Sequence, residues 1–127
     1  MVRNNELTFV FTSPLNPDHA EFTAHHSKHG DGVKDVAFTV DDAAGIYQKA
    51  VERGATGVRE PETLEDANGS VIVASVKTYG DTIHTFVQRV NYNGPFLPHF
   101  VDHPQREILN GLVPVPELLY IDHVVGN

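Results

Sequence analysis

The sequence predicts a domain of the α+β class, and three observations support this prediction. The chain has 127 residues, which is close to the usual size of one domain. Apolar residues make up 40% of the chain and charged residues 20%, which argues against a disordered or coiled-coil protein. From residue 33 to residue 90 the hydrophobic pattern predicts a strand, a helix and three more strands.

Two elements are predicted before residue 33. Residues 7–12 are rich in β-forming side chains and are followed by two prolines, which predicts a strand and then a loop. Residues 18–28 are predicted to form a short helix with Asp18 as its N-cap, and Gly30 follows as a helix terminator.

The next strand and helix have clear periodicity. Over residues 33–40 the alternation predicts a strand with Asp35, Ala37 and Thr39 on one face, a face of small and partly polar side chains. Asp41 and Asp42 then supply a cap, and apolar residues recur at three- and four-residue spacing until Arg53. This is the best helix candidate in the chain.

Three strands are predicted to complete this module. A short strand near residues 56–59 precedes a polar loop that contains Pro61 and the turn Asn68-Gly69. Residues 71–78 and 82–90 are β-rich and flank a turn centred on Gly80, so they predict a hairpin.

The last third of the chain has a different composition. Residues 91–116 are rich in Pro and Gly and are interpreted as a linker. Residues 118–125 are apolar and predict a strand, the chain ending two residues later. We therefore expect residues 117–127 to be the opening of a further, truncated domain.

Charge and residue usage exclude several function classes. Nine Lys and Arg face 17 Asp and Glu, a net charge of −8 without a basic cluster, so nucleic acid is not expected as a partner. The absence of Cys excludes disulfides and thiolate zinc sites. Without a long apolar run, no membrane association is expected, and a cytoplasmic location is predicted.

Eight histidines raise the question of a metal site. His25 and His29 share a helix face at i, i+4, but no Glu follows the first of them, so we interpret them as surface residues and keep zinc binding as an alternative. His84 is interpreted as a cross-strand residue. His123 would share a strand face with Ile121 and Val125, which suits either a buried metal ligand or a core histidine; the pattern alone favours the latter.

Several short runs carry a family resemblance: residues 28–38, residues 53–55 with 59–61, residues 79–82 with 84–85, residues 91–92, residues 96–98, and residues 121–127. In this order they resemble the N-terminal part of the 4-hydroxyphenylpyruvate dioxygenase family. The resemblance implies a vicinal oxygen chelate fold, built from βαβββ modules. It divides the chain into a partial N-terminal domain (residues 1–90, with a complete module at 33–90 and the last strand of a preceding module), a linker (91–116) and the first strand of a catalytic domain (117–127).

The resemblance also implies chemistry. Members of the family bind Fe(II) through two His and one Glu and convert 4-hydroxyphenylpyruvate, a 2-oxo acid, and O₂ to homogentisate and CO₂ in tyrosine catabolism. Such a triad leaves three coordination positions open. By resemblance, His123 is the first metal ligand and Val125 lines the substrate pocket, and assembly into a homo-oligomer is expected.

The chain departs from the family pattern in ways that affect activity. The counterparts of the second His and the Glu would lie beyond residue 127. Within the module, Asp35 and Thr85 stand where the catalytic domain has a His and its Glu, and we interpret both as vestigial, non-binding positions. We therefore expect the chain alone to be inactive. The alternative is a non-catalytic binding or oligomerisation module of the same fold.

Overall fold

A computed structural model describes residues 1–104, 112, 114 and 116–126 of the chain. These residues form two compact units. One unit combines Met1–Asp31 with His103–Asn127, and the other is Gly32–Asp102.

The first unit contains a small hairpin and a helix. Strand β1 (Val2–Asn4) pairs antiparallel with β2 (Leu7–Phe9), and helix α1 spans Ala20–His29. The predicted strand at residues 7–12 is therefore shorter than expected, and β1 is an additional strand that pairs with it.

The start of helix α1 also differs from the prediction. The N-cap is His19, whose Nδ1 accepts a hydrogen bond from the Phe22 N–H at 3.3 Å, and not Asp18. The helix therefore begins two residues later than residue 18. An imidazole nitrogen can satisfy one free N–H of the first turn, as the smaller capping side chains do.

The second unit is the βαβββ module. Its elements are β3 (Asp35–Thr39), α2 (Ala43–Glu52), β4 (Gly57–Asp66), β5 (Gly69–Lys77) and β6 (Ile83–Val90). The strand order in the sheet is β3-β6-β5-β4, with β3 parallel to β6 and the other neighbours antiparallel. This arrangement confirms the predicted α+β class and the predicted order of elements.

Strand β4 is longer than the sequence predicts. It continues through Pro61 and most of the segment interpreted as a polar loop, and its register against β5 shifts between Gly57 and Arg59 and again between Arg59 and Glu62. The position of β4 explains this difference. Because β4 is an edge strand, a proline that lacks an N–H can be accommodated where the ladder is already irregular.

A small apolar core lies on the face of the sheet that also carries Asp35. Val71, Val73 and Val87 are buried there, and partly buried Tyr92 and Leu97 pack against them. Tyr92 and Leu97, which lie in the predicted linker, thus contribute to the core of this unit. Residues 105–111, 113 and 115 of that predicted linker lie outside the described residues.

Asp66 attaches the segment after β6 to the β4–β5 turn. Its carboxylate accepts the His99 N–H at 3.0 Å and the Asn68 N–H at 2.8 Å. These two hydrogen bonds, with that from His99 the larger contribution, lower the pKa of Asp66 below its usual value of 3.8.

The predicted strand at residues 118–125 is not formed. Residues 116–126 contain no strand, and Val125 is 80% exposed. The backbone N–H of Glu6 donates to the Leu119 carbonyl at 2.9 Å, but an isolated bond of this kind is not a ladder. A strand requires a neighbouring strand along its length, which a sequence pattern cannot supply. Within the described parts of the chain, no helix has the length and apolar character needed to cross a membrane.

Candidate functional site

The module carries a line of polar side chains across three strands. In the sheet register Thr85 of β6 lies between Ala37 of β3 and Ser75 of β5, so Asp35, two residues before Ala37, shares their face. Thr85 Oγ1 donates to Asp35 Oδ2 at 2.6 Å. Because the Thr85 hydroxyl has a single proton, Ser75 Oγ is the donor in its 2.8 Å contact with Thr85 Oγ1.

Burial and hydrogen bonding act in opposite directions on Asp35. Partial removal of water raises the pKa of its carboxyl above the usual 3.8, and this effect exceeds the lowering by the hydrogen bonds from Thr85 and by the charges of His84 and Lys34. Ser75 is buried, at 4% exposure. The Thr85 hydroxyl therefore satisfies one oxygen of Asp35, and the buried Ser75 hydroxyl satisfies Thr85 in turn.

The other predicted residue of this region, His84, has a structural partner. Its Nδ1–H donates to the Val36 carbonyl at 3.1 Å across the β3–β6 pair, and its ring lies edge-on to Phe38 at 5.1 Å. This confirms that His84 is a satisfied cross-strand residue. No cluster of three or more His, Cys, Asp or Glu side chains with metal-binding geometry occurs among residues 1–104, 112, 114 and 116–126.

His123 lies in the segment without secondary structure. Its side chain is 74% exposed, so the dry surroundings expected from Ile121 and Val125 on a strand face are not present in this chain. Its Nδ1 lies 2.7 Å from Asp122 Oδ2. A proton on Nδ1 shared with a carboxylate leaves the Nε2 lone pair available, which is the tautomer that metal-binding histidines commonly use.

The histidines of α1 form no complete site. The rings of His25 and His29 have centroids 4.6 Å apart, as their i, i+4 spacing predicts. His26 Nε2 lies 3.2 Å from Asp31 Oδ1 in an exposed pair. These side chains do not converge with a third ligand in the described chain, which leaves the surface interpretation of His25 and His29 in place.

Ser75, the third member of the polar line, is not among the candidate residues that the sequence predicts. A signal for it was present, since a hairpin centred on Gly80 places residues 75 and 85 opposite each other. The alternation of β3 and the turn at Gly80 together could have identified all three side chains.

Comparison with known proteins assigns the family. Residues 1–99 match the family model described as hydroxyphenylpyruvate dioxygenase, HPPD, N-terminal. The chain belongs to this family. It is 48% identical over 131 residues to a 4-hydroxyphenylpyruvate dioxygenase of Tetrahymena thermophila, 49% over 127 residues to one of Danio rerio and 45% over 131 residues to one of Yarrowia lipolytica. These alignments cover 100%, 99% and 100% of the chain but 32%, 32% and 33% of the relatives, so the chain spans about a third of their length.

Membership in the hydroxyphenylpyruvate dioxygenase N-terminal family fits the chemistry of the module. The positions interpreted as vestigial, Asp35 and Thr85, are hydrogen-bonded to each other in this N-terminal domain. Iron in proteins requires several nitrogen or carboxylate ligands. As a pair, Asp35 and Thr85 supply one carboxylate and one hydroxyl, which are fewer donors than such a set needs.

The raised pKa of Asp35 predicts the effect of neutralising it. Because the folded pKa is above 3.8, the stability linked to Asp35 is fully present below pH 3.8 and is lost as the pH rises through the folded value. Asp35→Asn keeps an oxygen for Thr85 and should raise the melting temperature at pH 7 by about 1 °C or less, since Asp35 is exposed and water screens its charge. The gain in melting temperature should vanish below pH 3.8, where the Asp35 side chain is neutral like the asparagine that replaces it.

Glu60→Gln is a matched control for this variant, since Glu60 is exposed on edge strand β4 and its substitution also removes one negative charge. It should leave the melting temperature unchanged. If Asp35→Asn lowered the melting temperature at pH 7, the ionised carboxylate would be stabilising, which contradicts the prediction.

Proposed function

We propose that this chain is the N-terminal part of a 4-hydroxyphenylpyruvate dioxygenase, an enzyme that uses Fe(II) and O₂ to convert 4-hydroxyphenylpyruvate to homogentisate and CO₂. The observation that carries the proposal is the similarity of the chain, over 99% or more of its length, to relatives bearing that enzyme name. In the enzyme, His123 is one iron ligand and Val125 contributes to the substrate pocket.

The residues of this chain do not fit a complete iron site. Retention of iron with open positions requires a set such as two His and one carboxylate. Among the described residues, His123 is the one position that the resemblance assigns as an iron ligand, and it lies in an exposed segment. These residues contain no converging group of three ligands. We therefore assign the other ligands to the part of the enzyme outside these 127 residues.

The module at Gly32–Asp102 has a different role in this proposal. The Thr85 and Ser75 hydroxyls occupy the line of side chains next to Asp35, and the valine core with Tyr92 and Leu97 covers the neighbouring part of the same face. This packing favours a non-catalytic module. Binding or subunit assembly is the second candidate function, and it concerns the module and not the His123 segment.

We expect the purified 127-residue chain to form no homogentisate from 4-hydroxyphenylpyruvate with Fe(II), ascorbate and O₂. A single imidazole binds iron weakly and cannot fix the substrate and O₂ together. The Danio rerio relative provides the positive control for the assay, and product is measured by chromatography. Homogentisate above a protein-free control would contradict the assignment of the missing ligands.

An iron titration of the same sample separates the two candidate functions. Weak binding that His123→Ala removes supports a ligand role for His123. Binding that His123→Ala leaves unchanged would contradict that role and favour the non-catalytic module as the function of the chain.

A further inference from the structure

Two asparagines of the β1–β2 hairpin, Asn4 at the end of β1 and Asn5 in the turn, contact the segment that leads to His123. Asn4 Nδ2 donates to the Pro116 carbonyl and Asn5 Nδ2 to the Leu118 carbonyl, both at 2.8 Å. The Leu118 N–H donates in return to Asn4 Oδ1 at 3.2 Å and also lies 3.1 Å from the Pro116 carbonyl. The two amides thus bind the backbone of residues 116–118 with both donors and acceptors.

A backbone bond extends this contact by one residue. The Glu6 N–H, also in the turn, donates to the Leu119 carbonyl at 2.9 Å. The partners are more than 110 positions apart in sequence, since the side-chain bonds join residues separated by 112, 113 and 114 positions. We call the four residues 116–119 the anchored segment.

The anchored segment restricts where His123 can be. His123 lies four positions after Leu119, and four residues of extended chain span at most about 14 Å. A ligand that is already confined loses less conformational freedom when a metal centre forms around it. The contacts of the turn therefore act on the placement of His123, although they do not touch its ring.

Asn5 combines a left-handed backbone conformation with a side-chain N–H donor. Its φ of +51° lies in the left-handed region, which asparagine adopts more readily than most residues. Asp tolerates the same conformation but has no N–H to donate. A substitution can therefore remove the contact with Leu118 without changing the turn.

We propose that Asn4 and Asn5 are positioning residues. They hold the anchored segment and thereby restrict the positions that the His123 side chain can occupy. The ligand role of His123 rests on the proposed function. The anchoring itself is a property of this chain and can be measured without iron.

The test is an NMR comparison of the 127-residue chain with the variants Asn5→Asp, Asn4→Asp and Asn4→Ala. Asn5→Asp should reduce the exchange protection of the Glu6 amide by about fivefold and lower the steady-state heteronuclear NOE of the His123 amide. Asn4→Asp keeps the acceptor for the Leu118 N–H, so it should preserve protection at Leu118 that Asn4→Ala loses. This rescue separates the hydrogen bond from loss of the side chain.

Asn16→Asp is the control, because Asn16 lies in the loop before α1 and the substitution adds the same charge. It should change none of these signals. Unchanged exchange and NOE values in Asn5→Asp would overturn the proposal. So would a general loss of protection in the β1–β2 amides, since that result indicates a purely structural role for the turn.

A last arm keeps this proposal distinct from the proposed function. His123→Ala should leave protection at Glu6 and Leu118 unchanged, because the anchored segment ends before residue 123. Loss of protection at Glu6 and Leu118 would overturn the proposal that the anchored segment positions His123, since it would show that His123 holds the segment. Iron binding by His123 is judged by titration alone, so failure of the ligand role does not alter the exchange result.

Discussion

Gly69→Ala is expected to destabilise the Gly32–Asp102 unit by about 3–5 kcal/mol. Gly69 opens β5 with a φ of +121°, a conformation that L side chains rarely adopt. A Cβ built there would clash with the Asn91 backbone oxygen and lie 2.9 Å from the Asn91 carbonyl carbon. Strain and a backbone clash therefore add together. Urea unfolding monitored by circular dichroism measures the loss.

Gly80→Ala is the matched control for this prediction. Gly80 lies in the β5–β6 turn at a φ of +56°, and a Cβ there meets nothing within 4 Å. Its replacement should contribute only the left-handed penalty of about 1–2 kcal/mol. Equal losses for the two variants would mean that the chain near Asn91 relaxes freely and would contradict the proposed clash.

The elements that the sequence predicts well are those with local causes. Helix α2 begins where predicted because Asp42 Oδ1 accepts the Gly45 N–H at 2.8 Å, a contact between residues three apart. The β5–β6 hairpin follows from its turn residues and the β-rich segments beside them. Such signals lie within a few residues of the structure they determine.

The differences arise where distant parts of the chain decide the outcome. Strand β4 passes through Pro61 because it is at the edge of the sheet, and edge position depends on the order of all four strands. The apolar pattern of residues 118–125 satisfies the composition of a strand but not its need for a neighbour. The contacts of Asn4 and Asn5 with residues 116–118 have no local signal at all.

The candidate site also has features that the sequence predicts and features that depend on distant parts of the chain. Alternation in β3 placed Asp35 on the polar face, and the structure adds its bond to Thr85. The opposite effects of burial and hydrogen bonding on the pKa of Asp35 could not be predicted, since both depend on packing of the sheet. For His123 the sequence pattern favoured a core histidine and the family resemblance a ligand. Its 74% exposure in this chain removes the first interpretation.

His123→Ala is the second prediction of large effect and is tested in the enzyme that carries this chain together with the remaining ligands. We expect the variant to lose iron and turnover, with iron affinity lowered by about a hundredfold or more, because loss of a direct ligand should exceed the effects of residues that only support one. The 127-residue chain should keep its fold after the same substitution, since truncation of a side chain that is exposed in it leaves no cavity. Bound iron and melting temperature are measured on the same sample.

Two further variants are compared with His123→Ala for their effect on iron binding. Asp122→Asn keeps the His123 imidazole but weakens the 2.7 Å contact at Nδ1 that orients it, so iron affinity should fall by roughly 10–100-fold, less than for the loss of the ligand. Asp35→Ala should leave the iron content unchanged, because its carboxylate is engaged with Thr85 in the module. An enzyme that retains its iron after His123→Ala would show that His123 is not a ligand. A lower melting temperature with turnover per folded molecule preserved would instead assign it a packing role, with a loss of about 1–3 kcal/mol in stability.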